Sequence, residues 1–189
     1  GGILKELGEL KEAELIIRKA IELNPNNVES HINLGGILKD YGKFKEAVLS
    51  IDKAIELNPN ISESFCLLGS ISEDLGNWPD AINFYEKAVN LDDKSDVAKS
   101  QLIKCKGHIC DWSNNENENK WLDYLGVEGS ALYTLGLIYY QDDPLKQFQR
   151  SKNLFEKKFS RKSIQISPRK NEKIRLGYFS ADFRAHPVM

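Results

Sequence analysis

Ala20-Ile21-Glu22-Leu23-Asn24-Pro25 returns 34 residues later as Ala54-Ile55-Glu56-Leu57-Asn58-Pro59, and Gly1-Gly2-Ile3-Leu4-Lys5 returns as Gly35-Gly36-Ile37-Leu38-Lys39. A third copy carries Leu68-Gly69, Gly76, Ala81, Tyr85 and Ala88, each 34 positions beyond Leu34-Gly35, Gly42, Ala47, Ile51 and Ala54. A fixed period of this length marks a stack of like units, because a single unit leaves an apolar face that only a neighbour can cover. In the middle copy the spacing predicts a helix from about Val28 to Tyr41 with Ile32, Leu34 and Leu38 inward. A second follows from about Phe44 to Leu57 with Ala47, Val48, Ile51, Ala54 and Ile55 inward. Gly35 and Ala47 are small where the paired helices must come close. Gly42 ends the first helix, where only a residue without a side chain turns left-handed cheaply. Pro25 and Pro59 stop the second helices.

These matched small, bulky and breaker positions resemble the tetratricopeptide repeat. The resemblance implies an all-α fold, a superhelix of helical hairpins. Its expected boundaries are repeats over 1–95, the first one truncated, and a capping helix over 96–108. A helical junction and basic linker then occupy 109–172. Arrays of this family bind extended peptides on the concave surface lined by the first helix of each pair. One variety clamps a terminal carboxylate with basic residues where this chain has Glu63 and Leu67, so that clamp is not expected here. In protein O-GlcNAc transferases, a related array places an asparagine just before the Leu-Gly pair, where its amide can pair with peptide backbone. Asn33 holds that position in the second repeat and is the candidate acceptor-peptide residue. The third repeat has Leu67 instead, leaving at most one rung of such a ladder, and a merely solvated Asn33 is the alternative.

Composition excludes several classes. With 41% apolar and 29% charged residues the chain is ordinary globular material. No apolar run is long enough to cross a membrane, 131–140 being short and interrupted by Thr134 and Gly136. Cys66, Cys105 and Cys110 are an odd number with no disulfide-scaffold density, which points to a reducing, cytoplasmic setting. Cys105, His108 and Cys110 offer three soft ligands where zinc usually takes four, so no metal is expected. The net charge is −2, but 145–175 holds eleven Lys or Arg against Glu156 and Glu172. No nucleic-acid motif accompanies that charge, so a solvated helix face and linker is the preferred reading. The first residue falls inside a repeat, and the chain reads as a piece of a longer protein.

Beyond the repeats, Trp121, Leu122 and Leu125 predict a helix that Asp111 or Ser113 could cap. Asp142-Asp143-Pro144-Leu145 predicts another, with an aspartate cap and proline at the first helical position. Its apolar side is expected at Leu145, Phe148, Phe155 and Phe159, with Arg150 and most lysines elsewhere. Finally, 173–189 reads as a strand with Ile174, Leu176, Tyr178 and Phe179, followed by the loop Ser180-Ala181-Asp182-Phe183-Arg184-Ala185-His186-Pro187-Val188. This stretch resembles the opening strand and loop of protein O-GlcNAc transferases, where Ser-x-Asp-Phe-x-x-His-Pro follows the strand. Cys110-Asp111-Trp112 and Asp142-Asp143-Pro144-Leu145 are similar to the junction in bacterial members. The resemblance implies the first strand of an α/β GT-B glycosyltransferase lobe and an inverting transfer of GlcNAc from UDP-GlcNAc to Ser or Thr of proteins. His186 would be catalytic, with Asp182 and Arg184 as active-site loop neighbours. No cofactor is implied, the nucleotide sugar being a substrate. Relatives using GDP-fucose share the architecture. This chain alone is expected to be inactive, since nothing in it cradles a leaving diphosphate. The alternative is a non-enzymatic repeat scaffold for protein–protein interaction.

Overall fold

The 34-residue period becomes pairs of helices of nearly constant length. The structure, a computed structural model, describes residues 2–113, 116–128, 137, 140–141 and 143–158. It contains α1 (Gly2–Leu23), α2 (Val28–Asp40), α3 (Phe44–Leu57), α4 (Ser62–Asp74), α5 (Trp78–Leu91), α6 (Asp96–His108), α7 (Glu116–Tyr124) and α8 (Pro144–Lys158), with no strand among the described residues. Helices α2 and α3 form one hairpin and α4 and α5 the next; α1 packs on α2, α3 on α4, α4 on α2 and α6 on α5. The strand expected over 173–189 lies outside the described residues.

The hairpin interiors follow the sequence pattern. Ile32, Leu34, Leu38, Ala47, Ile51 and Ala54 are buried, while Val48 and Ile55 pack from the side. Burying one such aliphatic side chain contributes about 1.5–3 kcal/mol. The small positions are required: a Cβ on Gly35 would lie 2.5 Å from Ile51 Cγ1, and one on Gly69 2.9 Å from the Tyr85 ring. The linking turns also repeat. Gly42 and Gly76 adopt φ of +72° and +74°, and each donates its N–H three residues back, to Lys39 O and Glu73 O. The next residues, Lys43 and Asn77, reach Leu38 O and Ser72 O, closing the orphan carbonyls of the helix end. Between repeats, Asn24, Asn58 and Asp92 accept from the N–H two residues on, of Asn26, Asn60 and Lys94. That local turn persists in the third repeat although Asp93 stands where Pro59 does, since the side chain and not proline closes it.

The flanking elements depart from the middle repeat. Helix α1 runs unbroken through Gly8, which lies 34 residues before Gly42. A helix continues through glycine at modest cost when no second element packs back across the turn. The expected capping helix over 96–108 is present as α6, in the register of a first helix. It begins and ends 34 residues after α4, is buried on both sides, and is followed by the same turn. There Cys110, at φ 55°, donates its N–H to Gly107 O and Asp111 donates to Lys106 O. Helix α6 thus keeps the register of a first helix, and the shorter α7 follows it. Ile103 takes the place of Gly35 and Gly69, so this pair cannot close as tightly. It is joined instead by Ile103, Leu122, Leu125 and Leu137, by the buried Lys106–Glu118 ion pair at 2.6 Å, and by Lys99, which donates to Tyr124 Oη at 2.8 Å. The Asp111 carboxylate closes a turn on Ser113.

One expectation is corrected: α8 is reversed. Asp143 caps it as expected, accepting from Leu145 and Lys146 N–H, but Leu145 and Phe148 are 74% and 67% exposed. The inward side is polar. Arg150 is fully buried and donates to Leu122 O, Leu125 O and Gln141 Oε1; Asn153 donates to Gly126 O, and Lys146 pairs with Asp123. A guanidinium on the last carbonyls of α7 satisfies orphan acceptors and the negative end of the helix dipole together. Phe159 lies outside the described residues.

Candidate peptide-binding face

Each first helix leaves one stripe to solvent, at spacing i, i+4, i+7, i+11, which is one side of an α-helix. On α2 the stripe is Glu29, Asn33, Gly36 and Asp40; on α4 it is Glu63, Leu67, Ser70 and Asp74; on α6 it is Val97, Gln101, Lys104 and His108. Glu29, Asn33, Asp40, Glu63, Asp74, Val97 and His108 are exposed, and the rest are partly covered. The stripes are held side by side. Lys39 Nζ donates to Ser70 Oγ at 3.3 Å, linking α2 to α4, and Lys104 Nζ pairs with Glu73, linking α4 to α6.

Glu73 is the hub of that second link. Besides Lys104 it accepts from Tyr85 Oη at 3.4 Å and from Cys105 Sγ at 3.7 Å. Burial first, then the Glu73 charge, pushes the Cys105 thiol up to about 12 and raises Tyr85 well above the ordinary phenol. Both groups stay neutral donors at physiological pH, so the hub is structural and holds the stripes in register. Cys105, His108 and Cys110 are not brought together as ligands: the first serves Glu73, His108 stacks on Trp78 at 4.2 Å between ring centroids, and Cys110 is exposed at its turn. Among the described residues no group of three or more His, Cys, Asp or Glu is placed to hold a metal.

Of the site residues read from the sequence, Asn33 stands on α2 with its amide in solvent. Asp182, Arg184 and His186 lie outside the described residues. The sequence reading missed Gln101, 34 positions past Leu67, because α6 was expected to be a cap. Continuing the period to Gln101 and Cys110 was the available signal. The face therefore presents two amides, Asn33 and Gln101, flanking one apolar residue, Leu67. An amide offers a donor and an acceptor side by side, which is what a peptide group of an extended chain presents in return.

Models of the tetratricopeptide repeat match residues 16–48, 1–27 and 67–97. No curated protein matches the chain. Among solved structures, a crystal structure of MamA is similar with a TM-score of 0.51 and 20% identity, covering 82% of this chain and 81% of that one. The MamA RS-1 ArsTM double mutant gives 0.55 and 20% over 65% of this chain and 68% of its own. The Arabidopsis OM64 TPR domain gives 0.51 and 19% over 57% and 89%. With the period, the left-handed turns and the glycine contacts, these likenesses show the fold: residues 1–48 and 67–97 match tetratricopeptide-repeat models, and the helices stack as hairpins of the tetratricopeptide type.

Proposed function

We propose that the chain is a protein–protein interaction module that holds an extended segment of a partner along the shared face of α2, α4 and α6. The observation that carries this reading is the run Asn33, Leu67 and Gln101 across three neighbouring helices, two amides able to pair with backbone on either side of an apolar contact. First helices packed about 8–10 Å apart match roughly three residues of extended chain per helix. Selecting binders from a displayed library of random 12-residue peptides, then mapping amide shifts by NMR, tests it. The selected peptides should perturb Asn33, Leu67 and Gln101; perturbations confined to α8 or to the second helices, or an empty selection, would sink the reading.

A second reading rests on the sequence motif at 174–188. In it the repeats select the protein acceptor of a glycosyltransferase. His186 takes the proton of a Ser or Thr hydroxyl as its oxygen bonds to the sugar's anomeric carbon and UDP departs from UDP-GlcNAc, or GDP from GDP-fucose. A neutral imidazole with a pKa near 6.5 suits that task. Sugar transfer by the gene product containing this chain, and its loss in His186→Ala, is the test. Undiminished transfer in that variant would remove the role given to His186.

A further inference from the structure

Two glycines stand side by side in α2, and the fold uses only one of them. Gly35 is buried and cannot accept a Cβ without striking Ile51, whereas a Cβ on Gly36 would meet no atom within 4 Å. Gly36 also has ordinary helical backbone, since Gly42, Gly76 and Gly126 are the glycines with positive φ among the described residues. A mid-helix glycine is destabilising relative to alanine, and among the described residues none packs where a Cβ would stand. What Gly36 does produce is a notch on the exposed stripe, one turn from the Asn33 amide.

The charges around the notch are mostly carboxylates, with Lys39 held between Asp40 and Ser70. Glu29 and Glu63 stand at one end of the stripes of α2 and α4, and Asp40 and Asp74 at the other, about 16 Å along the helix axis. Glu29, Glu63 and Asp74 make no ion pair among the described residues; Asp40 is met by Lys39 at 3.4 Å. The remaining cation of the face, Lys104, is taken by Glu73.

We infer that Gly36 is kept bare so that the backbone of an extended, lysine- or arginine-rich segment can lie against α2 between these carboxylates, with Asn33 pairing its peptide groups. This rests on the interaction reading above and adds the place of closest approach and the charge of the partner. An acidic segment would be repelled at both ends of the stripe.

The test uses the full chain and the peptides selected from the random 12-residue library. They should be enriched in Lys and Arg. Gly36→Leu should weaken them at least tenfold while leaving the melting temperature no lower, since the added side chain enters open space. Gly36→Ala should raise the melting temperature by roughly 2–4 °C and still weaken binding about threefold. Glu29→Gln with Glu63→Gln should weaken binding and flatten its salt dependence. Peptides that map to this face but carry no basic excess, or that bind Gly36→Leu within twofold of wild type, overturn the inference and leave the interaction reading standing. Peptides mapping elsewhere, or none selected, overturn both.

Discussion

Cys110 does a glycine's work. At φ 55° its Cβ crowds the following carbonyl, a conformation that costs an L-residue about 1–2 kcal/mol, yet its N–H closes the same turn as Gly42 and Gly76. Glycine would remove the crowding but add freedom to the unfolded chain, so Cys110→Gly should stabilise by a net ~0.5–1 kcal/mol. A rise in the urea midpoint with unchanged slope is the expected result; a fall would mean that the thiol itself contributes packing. Gly76→Ala is the mirror experiment and should destabilise by a similar amount, because φ +74° there is strained for any side chain.

At the scale of elements, legibility followed how each helix is fastened. Helices α2 and α3 were readable almost to the residue, because their partners are apolar and their small positions recur, and α4 and α5 were placed by the same period. The α6–α7 pair was not, since Cys110 and Ile103 replace the glycines and its polar contacts are Lys106 to Glu118 and Lys99 to Tyr124. A periodicity count of apolar residues cannot register such pairs. The same blindness reversed α8, where the pattern pointed Leu145 and Phe148 inward while Arg150 decided the packing. Arg150 makes three donations, to Leu122 O in α7 and to Leu125 O and Gln141 Oε1 beyond it, and its guanidinium fork spans both Leu122 O and Leu125 O. Arg150→Met should therefore free α8 and the end of α7, with amide protection there falling by about 2–3 kcal/mol of opening free energy, while α2 to α5 keep theirs. Arg150→Lys should rescue little, since an ammonium is a single point and not a fork. Uniform loss of protection throughout the chain would show instead that α8 is integral to the whole stack. As for the candidate face, Asn33 was visible from the repeat register, but Gln101 depended on seeing α6 as a first helix.

For the whole molecule the Glu73 hub sets an upper pH limit. Burial lifts the Cys66 thiol to about 11 and the Cys105 thiol to about 12 from an ordinary 9.0, and it raises Tyr85 as well. These are acids whose folded state holds the proton more tightly than the unfolded chain does. Their contribution is therefore complete below pH 9 and is lost as pH rises through 9 toward 11 and 12, the unfolded chain releasing protons that the folded one retains. Each thiol accounts for at most about 1.4 kcal/mol per pH unit in that window. On the acid side, Glu14, Asp111 and Asp123 are held below the usual carboxylate range chiefly by side-chain hydrogen bonds from Arg18, Ser113 and Lys146. What they add is present above pH 4 and fades as pH falls through it, and it is small because these groups lie at the surface, partly or fully exposed. Stability should thus be level from pH 5 to 8 and drop steeply above 9. Cys105→Ala should start lower at pH 8, having lost its contact with Glu73, but decline less steeply between pH 9 and 11. Urea midpoints at half-unit steps would show the two curves converging; parallel curves would mean that the thiol in the hub is not what the alkaline limit titrates.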